Sequence, residues 1–442
     1  MHSRRLFAGF VVASAVWLSC VPIAFAQALP TERRTGDLFG GHGRESHERL
    51  DLTVSILGAY DDDLLNDLIL PTLGAGANGL AAPQKGGTYE SVSAQLAYVK
   101  KFRESTFGAS GRTMAQHLQG IGRDISYQHA AALGYDLHHR GTQISLQQTY
   151  TAFTLFALQT TPSLFRSDVA ALPSLVTDEA VASAPGWRSV SGIDLSQSLG
   201  PRVTLTASAT MGYTNIDSTA GRLRQDLAAA RLTFHLTRDL GLVTGYQVER
   251  GDFSGFAGSE RVDVQNVDLG LHYDHALSFS RRTTVGFSSG PVLVRDPVRG
   301  TTQYTMGGET RLNHQLGRTW QATAAFNRGV TFVDGFMSPF LGDTVAVNIG
   351  GALSRRTELT VGGSAWNGRV VQSGQPATDR NESLTGTSRL RILLSPSMAL
   401  TAEYRYFHYR FNAAPVLIGT LPPWADLNSV RIGFDIGLPL FR

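Results

Sequence analysis

Charged side chains that occupy every second position of apolar segments are the residues best placed to do chemistry in this sequence. In one such segment, Arg389 and Arg391 alternate with Leu390 and Ile392. Successive side chains of a strand point to opposite faces of the sheet, so these charges would share one face. Charges that line a pore tune which solutes pass. The predicted pore-lining charges are Arg231, Asp268, Asp274, Glu309, Arg311, Glu358, Arg389, Arg391, Glu403, Arg405, Arg431 and Asp435.

Both signs occur in this set, and this leaves a second interpretation open. Opposite charges on neighbouring strands would then simply pair across the wall and have no selective role. Three aromatic residues, Trp366, Phe407 and Tyr409, fall on the same predicted inward register. Aromatic rings in a pore are suited to stacking on sugar rings, so these residues complete the predicted pore lining.

A second aromatic set lies on the apolar faces, near the ends of the predicted strands. Tyrosine and tryptophan concentrate where a membrane meets water, because their rings are apolar and their polar tips remain hydrated. The alternative for any one of them is packing at the edge of a sheet. The predicted aromatic girdle consists of Tyr60, Tyr98, Tyr150, Tyr213, Tyr246, Tyr304 and Trp320.

Enzyme-like constellations are not evident. His129 and His275 fall on apolar registers and His235 and His272 on polar ones, but none stands in a recognisable relation to a serine and a carboxylate. The glycines at 40 to 43 lack the strand-to-helix context of a phosphate loop. The aspartates between 61 and 67 lack the spacing of a calcium loop. We therefore predict no enzymatic activity, no cofactor and no metal site.

The first residues indicate secretion. Arg4 and Arg5 precede an apolar run that reaches Ala26 and closes on a small-x-small pattern, which is typical of a cleaved signal peptide. A lipidated Cys20 is the alternative. Cys20 is the only cysteine, so a chain cleaved after Ala26 has no disulfide. We predict a signal peptide at 1–26, a polar periplasmic lead-in at 27–47 and one domain at 48–442.

Charge and hydropathy narrow the class of protein further. The formal charge of +3 falls to +1 once Arg4 and Arg5 are removed, and the basic residues are scattered, so a nucleic-acid partner is not expected. After residue 30 the sequence has no uncharged apolar run of the length needed for a spanning helix. Only helices and closed barrels satisfy the backbone inside lipid. If the mature chain spans a membrane, it must do so as a β-barrel.

Period-2 alternation recurs along the whole chain. From Val203 to Thr214, one face is apolar and the other carries threonine, serine and glycine. A soluble sandwich would show the same local pattern, but short and long connections tend to alternate here, as in outer-membrane barrels. We predict an all-β, antiparallel, up-and-down transmembrane barrel of about 18 strands. A count of 16 is the alternative, because the strand predicted at 104–117 is the weakest.

The C-terminal segment predicts how the barrel reaches its membrane. Arg431, Gly433, Ile436 and Leu438 follow the pattern that directs barrels to the assembly machinery of the outer membrane, although the chain ends on arginine instead of an aromatic residue. The partners expected on these grounds are the barrel assembly machinery, outer-membrane lipid and lipopolysaccharide.

One motif carries a family resemblance. The predicted first strand, from Leu50 to Tyr60, is followed at once by Asp61, Asp62 and Asp63. This resembles outer-membrane β-barrel porin families whose first strand ends in Tyr-Asp-Asp, although Asp63 replaces the asparagine that often follows. The resemblance implies a barrel in the cell outer membrane. Some members are linked to export of surface polysaccharide, which implies a periplasmic polysaccharide export protein as a further partner.

Three functions follow as hypotheses. The first is a porin-like channel for hydrophilic cargo, including exported polysaccharide. The second is a general diffusion porin for small solutes, since barrels of 16 to 18 strands can enclose an aqueous channel. The third is a barrel plugged by the insert at 59–87 or at 159–185, whose loops serve as a surface or adhesion platform.

Overall fold

The computed structural model describes most of the chain from residue 47 onward. The described residues are 47–62, 86–118, 125–154, 156–157, 181–182, 185–216, 221–237, 240–255, 258–273, 283–296, 300–332, 339–371, 381–410 and 424–441. The predicted signal peptide and almost all of the lead-in lie outside them, as do Asp274, His275 and most of both long inserts. The described part of the chain contains no helix long and apolar enough to cross a membrane.

The described residues form a closed barrel of 18 strands and a separate two-stranded antiparallel sheet. The strands are β1 (Glu48–Asp61), β2 (Gly87–Lys101), β3 (Ser105–Leu118), β4 (Ile125–His139), β5 (Thr142–Phe153), β6 (Phe156–Ala157), β7 (Val181–Ala182), β8 (Gly186–Gly200), β9 (Val203–Ile216), β10 (Gly221–His235), β11 (Leu240–Gly255), β12 (Gly258–Tyr273), β13 (Thr283–Asp296), β14 (Thr301–Leu316), β15 (Trp320–Thr331), β16 (Phe340–Ala352), β17 (Thr357–Val370), β18 (Asn381–Ser395), β19 (Met398–Arg410) and β20 (Trp424–Phe441).

Each barrel strand pairs antiparallel with its neighbours in the sequence, and β6 and β7 pair only with each other. Strand β1 pairs with β20 from Leu50 opposite Phe441 to Asp61 opposite Ser429, which closes the ring. The prediction of 18 strands is thereby confirmed, and the alternative of 16 is wrong. The segment predicted at 104–117 is strand β3, paired along its length with β2 and β4.

The connections differ at the two rims, which we call the short-turn rim and the long-loop rim. Strands β4 and β5 are joined at the short-turn rim by Arg140 and Gly141, both with positive φ. Positive φ at both turn positions matches the right-handed twist of a hairpin, and glycine adopts it without strain. At the long-loop rim β1 and β2 are separated by residues 62 to 86. At the same rim β11 ends at Gly255 and β12 begins at Gly258.

Outward-facing positions carry a broad apolar belt. Ile432 and Phe434 of β20, and Leu269 and Leu271 of β12, are each between 46% and 57% exposed although they are large and apolar. A face of this kind is stable against lipid, and every described barrel strand is paired on both sides, although the β14–β15 ladder is short. The chain is therefore an integral barrel of the outer-membrane type.

Candidate functional site: the lumen of the barrel

Among the side chains that the structure describes, the inward face of the barrel carries ten cationic and ten anionic groups. The cationic ones are Arg49, Lys101, Arg112, Arg188, Arg231, Arg311, Arg389, Arg391, Arg405 and Arg431. The anionic ones are Asp51, Asp61, Asp136, Asp194, Glu249, Asp268, Glu309, Glu358, Glu403 and Asp435. The balance means that local pairing, and not an overall field, shapes the electrostatics of the lumen.

The first charged network lies where the barrel closes. The carboxylate of Asp435 accepts a hydrogen bond from Ser55 Oγ at 2.7 Å and another from Thr401 Oγ1 at 2.9 Å, while Arg391 Nε lies 3.6 Å away. Arg391 and Asp435 are only 10% and 13% exposed. Strands β1, β18, β19 and β20 thus meet at one carboxylate, which both orders the seam and places charge on the lumen wall.

Glu403 extends this first network. It lies opposite Arg431 in the β19–β20 register and opposite Arg389 in the β18–β19 register. Arg405 Nε contacts its Oε1, and Arg389 Nε lies 4.0 Å from its Oε2. Glu358 lies beside Arg391 on β17. The predicted residues from β17 to β20 are therefore brought together, and most of their charge is neutralised within the group.

The second charged network lies across the barrel, on β10 to β14. Arg231 Nη2 donates to Asp268 Oδ2 at 2.9 Å, and Asn266 Nδ2 donates to Asp268 Oδ1 at 3.0 Å. Gly245 stands between Arg231 and Asp268 in the ladder, and a Cβ there would lie 3.4 Å from Arg231 Cγ and Nε. The glycine leaves room for the guanidinium to cross one strand. Glu309 interacts electrostatically with Arg231 and Arg311, which completes the network.

A stretch of wall between the two networks bears no charge. It forms a recess of about 240 Å³ on the inward face of β16, β17 and β18. Its side chains are small and polar, as expected for a hydrated surface: Asn348, Thr360, Ser364, Thr385 and Thr387, with Gly362. Within the described residues no group of histidine, cysteine and carboxylate side chains could hold a metal ion.

The three aromatic residues predicted to line the pore point inward but are buried. Trp366 is 2% exposed, Phe407 3% and Tyr409 0%. Trp366 packs edge-on against Phe340 at 5.3 Å between ring centroids, and Phe407 lies 5.7 Å from Tyr409. Their ring faces are consequently covered, and a passing sugar chain could not stack on them as the sequence-based prediction requires.

An apolar cluster inside the long-loop rim was missed by sequence reasoning. Its buried members are Leu223, Phe253, Val262, Val264, Val292, Val294 and Phe332. The available signal was a change of phase in β12, where the apolar positions move from even numbers at Val262 and Val264 to odd numbers at Val267 and Leu269. Near the long-loop rim, these strands are therefore apolar on the inner face and charged on the outer face. In the middle of the barrel the arrangement is the reverse.

Phe332 reaches this apolar cluster because the end of β15 separates from β14 while it stays paired with β16. The ladder between β14 and β15 stops at Gly308 opposite Arg328, although β14 continues to Thr301 along β13. The Phe332 ring lies so close to Gly251 that a Cβ there would be 2.2 Å from it, and its centroid is 5.7 Å from that of Phe253. The end of β15 is thus folded into the lumen across the inner face of β11.

The open seam between β14 and β15 is capped at its base. Arg328 Nε donates to the carbonyl of Met306 at 3.2 Å, and Arg328 Nη1 binds both carboxylate oxygens of Asp343 at 3.0 and 3.1 Å. One backbone acceptor freed by the departure of β15 is therefore satisfied by a side chain. Tyr304, on the stretch of β14 that pairs with β13 but not with β15, is 80% exposed.

The predicted girdle residues all face outward. Tyr98 lies near the short-turn rim, in edge contact with Phe107 and Phe441 at 6.2 and 6.3 Å, and Trp320 begins β15 at the same rim. Tyr60, Tyr150, Tyr213 and Tyr304 lie toward the long-loop rim, and Tyr246 lies nearer the middle. Trp187, which was not predicted, stacks on Tyr213 at 5.0 Å and lies 6.0 Å from Tyr150.

The residues predicted as an assembly signal divide between the faces of β20. Arg431 and Gly433 face inward, and Arg431 lies 5.8 Å from the centre of the Tyr89 ring. Ile436 and Leu438 are on the outward face. Gly433 permits close approach of the first strand, since a Cβ there would be 2.4 Å from the carbonyl oxygen of Ile56.

Comparison with known proteins adds similarity of fold only. No family model and no curated protein matches the sequence. Acinetobacter baumannii OccAB2 has a TM-score of 0.45 at 10% identity, over 89% of this chain and 98% of that one. Pseudomonas aeruginosa OccK2 (OpdF), solved in complex with glucuronate, has the same score at 11% identity over the same shares. The siderophore receptor PirA from Pseudomonas aeruginosa scores 0.44 at 8% identity, over 90% of this chain and 81% of that one.

Proposed function

We propose that the protein is a porin-like channel through which small hydrophilic solutes diffuse across the outer membrane. The observation that carries the proposal is the inward face of a closed ring of 18 strands, which is lined by charges of both signs and small polar side chains. A barrel of this strand number has room for water inside. Paired charges keep such a wall hydrated without creating a strong field for either sign.

Export of surface polysaccharide fits the lumen less well. A sugar polymer would be expected to slide over exposed aromatic faces, but Trp366, Phe407 and Tyr409 are packed against neighbouring side chains. The open part of the wall is instead made of threonine, serine and asparagine around the β16–β18 recess. Such a wall suits small solutes that keep part of their hydration.

A plugged barrel acting as a surface platform is the second candidate, and a specific observation favours it. Phe332 and the end of β15 fold inward at the long-loop rim and narrow the lumen there. In this case the inward charges would serve only to hold the wall together. The two candidates differ in one measurable property, which is steady conductance.

The experiment is single-channel recording of the refolded barrel in a planar bilayer, together with swelling of liposomes in small sugars and amino acids. The channel predicts steady openings and swelling that slows as the solute becomes larger. Blockade by added polysaccharide at low concentration would instead support a polymer conduit. A folded barrel that neither conducts nor permits swelling would contradict the channel and leave the surface platform.

A further inference from the structure

A lattice of alternating charges lies on the outer surface of β10 to β13, near the long-loop rim. Its lower row runs across four strands as Asp226, Arg250, Asp263 and Arg295, each directly opposite the next in the ladder. Its upper row is Arg224, Asp252 and Arg261. We call these seven residues the outer charge lattice. Because its side chains point away from the lumen, it has no part in the proposed channel.

The lattice begins where the apolar belt ends. On β11 the outward positions are Leu242, Thr244, Tyr246 and Val248, followed at once by Arg250 and Asp252. Charged side chains on the lipid face are costly at the bilayer centre and tolerated only near its edge. The change from Val248 to Arg250 therefore marks the boundary of the hydrocarbon, and the lattice faces the layer of lipid headgroups.

Ion pairs within the lattice hold its arginines in place. Arg250 Nε lies 2.8 Å from Asp263 Oδ1, and Arg224 Nε lies 3.0 Å from Asp226 Oδ2. Arg261 Nε lies 3.7 Å from Asp252 and 3.8 Å from Asp263. These guanidinium groups are close to half exposed, so each keeps donors free for an external acceptor.

Arginine is in excess at this surface. The lattice has four arginines and three aspartates, and exposed Arg222 lies beyond its upper row on the same face of β10. Arg222 and Arg295 make no side-chain ion pair or hydrogen bond within the described strands. Guanidinium groups at headgroup depth with no partner among the described residues are suited to phosphate, which they can bind through two parallel hydrogen bonds.

We propose that the outer charge lattice, with Arg222, is a docking surface for a phosphorylated glycolipid of the outer leaflet. The long-loop rim of such barrels faces outward from the cell, so the lipid beside the lattice is that of the outer leaflet. Its phosphate groups bind Arg222 and Arg295, its acyl chains lie on the apolar belt below, and the aspartates keep the neighbouring arginines oriented. The proposal rests on the position of the barrel in the membrane and is independent of conduction.

The test is retention of lipid A by the delipidated, refolded barrel in detergent, measured by native mass spectrometry. Wild-type protein should retain bis-phosphorylated lipid A about tenfold more strongly than its dephosphorylated form, as expected for guanidinium groups at a headgroup layer. The double variant Arg222→Gln with Arg295→Gln should lose that preference. A matched double variant at the short-turn rim, Arg318→Gln with Arg355→Gln, should retain it.

Three results would overturn the proposal. Wild-type protein could bind both forms of lipid A equally, or the lattice variant could bind like wild type. The short-turn control could also lose as much of the preference for bis-phosphorylated lipid A as the lattice variant does. That result would indicate a general effect of charge. Comparison of the two lipid forms on wild-type protein needs no mutation, so it decides the question even if a variant fails to refold. Conductance measured on the same samples tests the proposed channel separately.

Discussion

Asp62 holds the first strand to the last through Asn428. Its carboxylate accepts hydrogen bonds from the backbone N–H and from Nδ2 of Asn428, both at 2.7 Å, and its own N–H donates to the Asn428 carbonyl at 3.1 Å. Asp62 directly follows β1 and Asn428 lies in β20, so these bonds clamp the closing seam at the long-loop rim. The Tyr-Asp-Asp sequence thus has a structural role in this chain.

Removal of this clamp should destabilise the barrel. Asp62→Ala leaves Asn428 Nδ2 without its acceptor, and we expect a loss of about 1.5 to 3 kcal/mol, as for hydrogen bonds to a charged group. The measurement is the temperature at which the folded band disappears in heat-modifiability electrophoresis. Asp226→Ala, which removes an outward carboxylate far from the seam, is the control. Equal melting of Asp62→Ala and wild type would show that the clamp is dispensable.

The Arg231 and Asp268 pair should set the balance of ion selectivity. Asp268→Asn leaves the Arg231 charge uncompensated in the lumen, so permeation should shift toward anions, and Arg231→Gln should shift it toward cations. The change in permeability ratio should be about twofold at moderate salt, because screening limits the range of one charge. Reversal potentials in a salt gradient provide the measurement.

The double variant of Arg231 and Asp268 provides the internal check on this prediction. Removing both charges restores the neutral lumen and should return the reversal potential close to that of wild type. Arg224→Gln, on the outer surface, should not change it. A shift of the same sign in both single variants would contradict the prediction.

Phe332 should restrict the lumen. Phe332→Ala removes the ring that packs against Gly251 and Phe253, and the lost packing is on the order of 3 kcal/mol. The end of β15 should then move away from the inner face of β11, and single-channel conductance should rise because the lumen is wider there. Phe326→Ala, on the outward face of β15, is the matched control. Unchanged conductance in Phe332→Ala would mean that the narrowest point of the lumen lies elsewhere.

Trp366 should contribute to stability and not to cargo binding. Because its ring is buried against Phe340, Trp366→Ala should cost about 3 to 5 kcal/mol, the range for large aromatic residues in cores. Thermal denaturation followed by electrophoresis measures this loss. Current blockade by polysaccharide should be the same as in wild type. Loss of an existing blockade in the variant would restore the stacking role predicted from the sequence.

Gly433 should be required for closure. A larger residue there would meet the Ile56 carbonyl, so Gly433→Val should refold poorly in detergent even without the assembly machinery. Leu438→Ser, outward and near the chain end, should refold in detergent. In cells, where the assembly machinery reads the signal, it should fail to insert into the outer membrane. Gly386→Ala, whose Cβ would have its nearest neighbour at 3.8 Å, serves as the control. Normal refolding of Gly433→Val would refute the steric argument.

The strands and their faces were determined by the sequence alone. Alternation at period 2 depends only on adjacent residues, so the inward register of Arg391, Glu403 and Asp435 was read directly. The up-and-down order followed as well, because short turns leave consecutive strands no other partner. Only near the long-loop rim did this reasoning fail, since outside the belt the apolar and polar faces exchange and the pattern inverts.

Tertiary structure alone decided which side chains meet. Arg231 reaches Asp268 because the register places Gly245 between them, and that register depends on turns and closure instead of on local pattern. Phe332 continues the outward parity of its strand, yet it lies inside the barrel because β15 leaves β14 after Arg328. Trp366 shows the same limit, since its inward direction was readable from alternation but its burial depends on Phe340 of the neighbouring strand. Alternation specifies a direction, whereas contact requires the positions of strands that are distant in the chain.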